Sequence, residues 1–236
     1  MEAAEASRLQ ELCRRHWERC KDTPPPRFSL RFYPYANLHH TIRLRGETVY
    51  VRLSDILSKA PSDVLTSISL ILLYKLMRRK PPAAHRRRYA DYASRPDVRS
   101  RCRQVRRLRG RKHLTSEQGR HYDLRALCEA LNKRYFGGNI EIERISWSRR
   151  RNRRVLGHYD DAHNTIVIDR RLDHPRVPSY VVEFVIYHEM LHALLGERFH
   201  KGRRWVHHAD FRRAERAFHD YRRAQEYIRR HLPAID

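Results

Sequence analysis

The sequence predicts an α+β protein in which a small antiparallel sheet packs on one apolar helix and on a C-terminal helix, preceded by a basic strand-and-helix region. Three observations carry this. Two apolar stretches, Val64–Met77 and Ser179–Gly196, have the length of core helices. Short runs of alternating apolar residues precede each of them. An arginine-rich segment separates the two halves, so the 236 residues divide into an N-terminal region at 1–83, a connector at 84–120 and a C-terminal domain at 121–236.

In chain order, Leu9, Leu12, Cys13, His16, Trp17 and Cys20 recur at helical spacing, and Pro24-Pro25-Pro26 ends that helix. Phe28, Leu30 and Phe32 alternate, as do Ile42 with Leu44 and Val49 with Val51 and Leu53. These predict three short strands joined by hairpins. A helix follows from Ser62, with Ser62-Asp63 as its cap and Pro81-Pro82 beyond its end. The connector holds Arg86, Arg87, Arg88, Arg103, Arg106, Arg107 and Arg111, interleaved with Tyr89 and Tyr92, and Pro96-Asp97 opens a helix within it. Guanidinium groups there can clamp phosphates and the tyrosines can stack on bases, making these arginines candidates for nucleic-acid contact. A solvated connector helix is the plainer alternative.

Asp123 predicts a cap for a helix carrying Leu124, Leu127, Cys128, Leu131 and Tyr135 on one face, and Gly137-Gly138 terminates it. Strands are expected near 140–147, 155–159 and 165–168, with the turn Asp160–Asn164 between the last two and a basic loop at 149–154 before them. A shift of 117 residues sets Thr48-Val49-Tyr50-Val51 against Thr165-Ile166-Val167-Ile168, Pro61-Ser62 against Pro178-Ser179, and Val64 against Val181. The N-terminal half then reads either as a degenerate copy of the C-terminal one or as a coincidence of two similar strand–helix units. After a basic connector at 197–206, one last helix from His208 buries Phe211, Ala214, Phe218, Tyr221, Ile228 and Leu232.

The second apolar stretch contains His188-Glu189-Met190-Leu191-His192. At 3.6 residues per turn the two histidines lie one turn apart on one face and can converge on a single ion. Glu189 beside them can reach a water at that ion without being a ligand, as a zinc-dependent hydrolase requires. With sixteen histidines in the chain the pattern alone is moderate support, but polar groups in so apolar a helix need partners. The plainer alternative is a pair of hydrogen-bonded core histidines. A third ligand is required. HExxHxxGxxH is excluded by Leu195 and Arg198, which leaves Glu215 or a histidine of the segment Trp205–Phe211, where His207 and His208 are adjacent.

Residues from about Tyr122 to Phe218 resemble the SprT-like (Spartan-type) zinc metallopeptidases. The match runs through Leu131-Asn132, Tyr135-Phe136-Gly137, Trp147-Ser148, Leu156-Gly157 with Tyr159, the HExxH helix and a later His-x-x-x-Phe. The resemblance implies His188, His192 and His207 as zinc ligands and His208 as a neighbour that does not bind. It also implies Glu189 as the general base of peptide hydrolysis, with proteins associated with DNA as a substrate class. The cysteine zinc ribbon or partner-binding tail of several members has no counterpart before Asp236.

The formal net charge of +24 favours contact with a polyanion such as DNA, although the excess of Arg over Lys, 44 to 7, is equally what a GC-rich coding sequence produces. Four cysteines without a CxxC pair predict reduced thiols. Cys13, His16 and Cys20 share a helical face but offer a metal only three ligands. The acidic N-terminus is unlike a signal peptide and no run is apolar enough to span a bilayer, so a cytoplasmic protein with no membrane partner is expected. The composite expectation is a zinc metallopeptidase acting on protein or peptide. The rivals are a nucleic-acid-binding protein whose zinc is structural, closed by His208 or His200, and a zinc hydrolase of small amides.

Overall fold

Eight helices and eight strands are present among the described residues of the computed structural model, which are 2–110, 114–151, 155–200 and 203–232. Arg111 of the basic connector, Asn152–Arg154 of the basic loop and the side chain of His200 lie outside the described parts. The chain divides into two compact units, 1–110 with 199–203, and 111–198 with 204–236. The segment 84–120 is therefore shared between units, its two helices belonging to the first.

The first unit begins with α1 (Glu2–Cys20), whose Leu9 and Cys13 are fully buried, and which ends ahead of Pro24-Pro25-Pro26. Strands β1 (Arg27–Tyr33), β2 (Thr41–Arg45) and β3 (Thr48–Ser54) form a sheet of order β1-β3-β2. Only β2 and β3 make a hairpin, across the two-residue turn Gly46-Glu47, with Gly46 at φ +55°. β1 pairs with β3 in parallel, which corrects the expected succession of hairpins. The physical reason lies in the loop 34–40, which ties to the end of β3. The Ser54 backbone N–H donates to His40 Nδ1 at 3.0 Å and the Ser54 hydroxyl to the Asn37 carbonyl at 2.9 Å, and β2 is set down on the far side of β3.

A 3₁₀ turn (Asp55–Leu57) leads to α2 (Ser62–Leu76). Its N-cap is Pro61 with no side-chain cap, and of the expected Ser62-Asp63 pair only Asp63 accepts a first-turn N–H, that of Val64 at 2.9 Å. Ser62 instead bonds Glu5, at 2.9 Å. α3 (Ala83–Ala93) is a helix the apolar spacing had not announced, because none of its residues is buried. α4 (Pro96–Arg109) starts at the expected proline.

The second unit opens on α5 (Leu124–Phe136), capped by Asp123 accepting the Ala126 N–H at 3.0 Å and closed by Gly137 at φ +59°. β4 (Arg144–Trp147), β5 (Gly157–Asp160) and β6 (Thr165–Ile168) form a sheet of order β4-β6-β5. β5 and β6 are antiparallel and β4 and β6 parallel, so the expected antiparallel sheet is mixed. A 3₁₀ turn (Arg170–Leu172) precedes α6 (Ser179–Leu195), whose Val181, Val182, Ile186 and Met190 are fully buried in one core with Ile166 and Ile168 of the sheet.

β7 (Arg198–His200) and β8 (Arg203–Trp205) pair where a connector was expected. The single final helix is two, α7 (Ala209–Arg216) and α8 (Tyr221–His231). The break draws Phe218 into a buried aromatic group with Tyr135, Phe184 and Tyr187, and the Tyr135 hydroxyl accepts the His219 N–H freed by it.

Both units run helix, strand, hairpin, 3₁₀ turn, helix, with the same strand order and the same parallel and antiparallel pairings. The 117-residue shift extends beyond the residues the sequence singled out. Arg27 pairs with Thr48 as Arg144 pairs with Thr165, and Leu30 with Val51 as Trp147 with Ile168. α2 and α6 start at Ser62 and Ser179, each behind an N-cap proline.

Candidate metal centre

The metal-helix sequence folds as its spacing requires. His188 and His192 project from one face of α6, and their Nε2 atoms stand 3.1 Å apart. His207, in the turn before α7, brings its Nε2 to 3.3 Å from each. Three nitrogens around one tetrahedral ion at zinc–imidazole bond lengths would be separated by about 3.3 Å, so the triangle has the dimensions of a three-histidine site. Among the described residues these three form a group that could hold a metal ion, and His207 is exposed, leaving the group reachable from solvent.

The rings are fixed from behind and below. His188 Nδ1 lies 2.7 Å from Glu215 Oε1 of α7, so a neutral His188 carries its proton on Nδ1 and presents a bare Nε2 to the centre. The buried Phe211 ring underlies all three imidazoles, at centroid distances of 5.0, 4.5 and 4.8 Å from His188, His192 and His207. Phe218 packs on the aromatic group described above. Burial, and then the nearby His188, hold the His207 pKa below the ordinary imidazole value, favouring the neutral ring that binds metals.

Glu189 is 5% exposed. Burial pushes its carboxyl up to about 7, against the opposing pull of His188 and of a hydrogen bond from the Tyr159 backbone. Gly157 of β5 explains how a carboxylate fits there. A Cβ at that position would meet Glu189 Oε1 and Val185 Cγ1 at 3.0 Å, so a larger residue there would force these side chains to give way where the edge strand passes α6.

The Tyr187 hydroxyl donates to the Ala214 carbonyl at 2.7 Å. His208 is buried and caps α7, its Nδ1 accepting the Phe211 N–H at 3.4 Å. Glu215, considered as a third ligand, is the partner of His188 instead. Glu215 acquires a role that only the fold reveals, since it depends on how α7 returns to α6. Cys20 lies 3.5 Å from His16, while Cys13 is fully buried and its thiol is pushed up to about 12. All four cysteines are free thiols.

The candidate nucleic-acid arginines are carried by two consecutive helices. Arg86 and Arg87 are exposed on α3, while Arg88 there pairs with Asp63 at 3.1 Å. Arg103 and Arg107 are exposed one turn apart on α4, and Arg106 is half-buried. No described helix is long and apolar enough to cross a membrane. Compared with models of known protein families, with curated proteins and with solved structures, the chain matches none of them.

Proposed function

We propose that this protein is a zinc metallopeptidase of the SprT-like type, acting on peptide bonds in proteins, including proteins associated with DNA. The observation that carries the reading is the convergence of His188, His192 and His207 through Nε2 atoms 3.1–3.3 Å apart, with the buried Glu189 following His188 on the same helix. Zinc held there supplies a Lewis acid that polarises a scissile carbonyl and lowers the pKa of a water to about 7.

Glu189 accepts the proton of the attacking water and returns it to the leaving amine, so that a C–N and an O–H bond are exchanged for a C–O and an N–H bond. Glu215 orients His188, and Phe211 holds the three rings in register. β5, the edge strand beside α6, offers backbone groups to an extended substrate whatever its side chains. A fourth protein ligand would make a structural zinc site. Among the described residues His208 stands outside the group formed by His188, His192 and His207, whose ligand nitrogens lie within 4.8 Å of one another, which weighs against it as that fourth ligand.

The first unit is read as a copy of the second without the chemistry. At the positions of His188, Glu189 and His192 it has Ile71, Leu72 and Lys75. Where Gly157 makes room for a carboxylate, the matching sheet row has Ile42, packed in the same core as the buried Leu72. A cytoplasmic location fits the free thiols.

The test is zinc stoichiometry together with casein digestion for the wild type and Glu189→Gln, with and without single-stranded DNA. One zinc per chain in both proteins, with digestion by the wild type only, is the expected result. Equal digestion rejects Glu189 as the general base, and zinc without any digestion rejects the peptidase and leaves a structural site. Turnover of small amides without digestion of denatured protein redirects the reading to an amidase.

A further inference from the structure

The open face of the first unit's sheet uses residues that the metal centre does not. Residues paired in register project on one side of a sheet, so its rows can be read across the three strands. One row is Arg27, Thr48 and Arg45; the next Ser29, Tyr50 and Arg43; the next Arg31, Arg52 and Thr41. The opposite face carries Leu30, Val51 and Ile42 into the core. Five arginines therefore stand on one face, and none has a carboxylate partner within 4 Å among the described residues. Arg31 and Arg52 are directly opposed, an arrangement of like charges that costs stability unless an anion joins them.

Aromatic rings are set among these cations. The guanidinium groups of Arg52 and Arg31 lie 5.0 and 5.6 Å from the Tyr33 ring centroid, which holds both upright by cation–π contact. Tyr33 packs on Tyr35 at 4.7 Å, and the Tyr35 hydroxyl meets Thr41 Oγ1 at 3.2 Å. Tyr50, in the middle of the face, is 42% exposed. Tyr35, Tyr50, Arg43, Arg45 and Arg52 line a shallow cavity of about 310 Å³.

The corresponding rows of the second unit are Arg144, Thr165 and Asp160, then Ser146, Val167 and His158, with one arginine and a carboxylate. The arginine face therefore does not follow from the shared topology, which both units possess.

We infer that this face binds a single-stranded nucleic acid. Arginines in successive rows neutralise consecutive phosphates, and the exposed Tyr50 ring takes a base on its face. An acidic protein would satisfy the charges but does not repeat a planar ring beside every negative charge as a nucleotide chain does, and a duplex keeps its base faces stacked inside. Binding here does not depend on the metal-centre reading and survives removal of the metal.

The experiment measures fluorescence anisotropy of labelled oligo(dT), oligo(U) and a mixed-sequence duplex with the full chain, titrating salt, with polyglutamate as competitor. Arg43→Ala/Arg52→Ala is expected to weaken single-strand binding about tenfold or more and to reduce the slope of log K against log salt by about 1.4. Tyr50→Ala is expected to weaken it about tenfold with the slope unchanged. Arg43→Lys/Arg52→Lys keeps the slope and guards against misfolding, as does an unchanged melting temperature. The oligo(dT) and oligo(U) arms distinguish DNA from RNA. Wild-type affinity in both alanine variants overturns the proposal. So does loss confined to an Arg86→Ala/Arg87→Ala control on α3, or polyglutamate or duplex binding as tightly as the single strands.

Discussion

Glu215 Oε1 lies 2.7 Å from His188 Nδ1, across the gap between α7 and α6. A carboxylate behind a ligating imidazole fixes its tautomer and raises its basicity, and loss of such a partner costs about 10- to 100-fold in metal affinity. Glu215→Ala should weaken zinc binding by that factor while leaving all three histidines in place. Competition with a chromophoric chelator measures it. An unchanged affinity would mean the contact is only a surface ion pair.

His207 and His208 are adjacent in sequence but separate in role. His207→Ala removes one corner of the triad and should weaken zinc binding by more than Glu215→Ala does. His208→Ala removes the α7 cap and should cost about 1 kcal/mol of stability with zinc retained. Chelator competition and urea unfolding on the two variants check the division. Reversed effects would make His208 the ligand.

Much of the site was legible because its signals are local. The spacing of His188 and His192 follows from helix geometry, and their apolar neighbours predicted burial of α6. The shift between Thr48–Val51 and Thr165–Ile168 was visible because strand residues are matched one by one. Pairing sense was not, since alternation in β1 and β4 is the same whether the neighbour runs parallel or antiparallel. α3 has no fully buried residue, only Tyr89 and Tyr92 partly buried against the first core, and left little periodic trace. The arginine face escaped for a related reason. Arg31, Arg43 and Arg52 alternate with core residues on three strands and form no run, whereas Arg86-Arg87-Arg88 is contiguous and draws attention to α3.

Gly157 offers a test of the catalytic geometry that leaves every ligand untouched. The Cβ of Gly157→Ala would press on Glu189 Oε1 and Val185 Cγ1 at 3.0 Å, and the carboxylate must yield. Displacements of about 1 Å at a reacting group can cost 100-fold in rate. Peptidase activity should fall by about 10- to 100-fold with zinc content unchanged. Full activity in this variant would show that Glu189 need not sit against β5.

His40 predicts an acid sensitivity belonging to the first unit alone. Its Nδ1 accepts the Ser54 N–H and its Nε2 lies 2.8 Å from the Tyr89 hydroxyl, so the neutral ring donates to Tyr89. Protonation would set an N–H against an N–H. Burial, aided by His39, accordingly lowers the His40 pKa to about 4 from an ordinary 6.5. The folded chain then binds fewer protons than the unfolded chain between these values. The contribution is fully present above pH 6.5 and is lost as pH falls towards 4, up to about 3 kcal/mol in all. His40→Asn offers Ser54 an acceptor that cannot be protonated. It should be less stable than the wild type at pH 7, with the difference shrinking towards pH 4. Urea unfolding of both proteins across that range measures it, and a difference independent of pH would mean that folding leaves the His40 pKa unshifted.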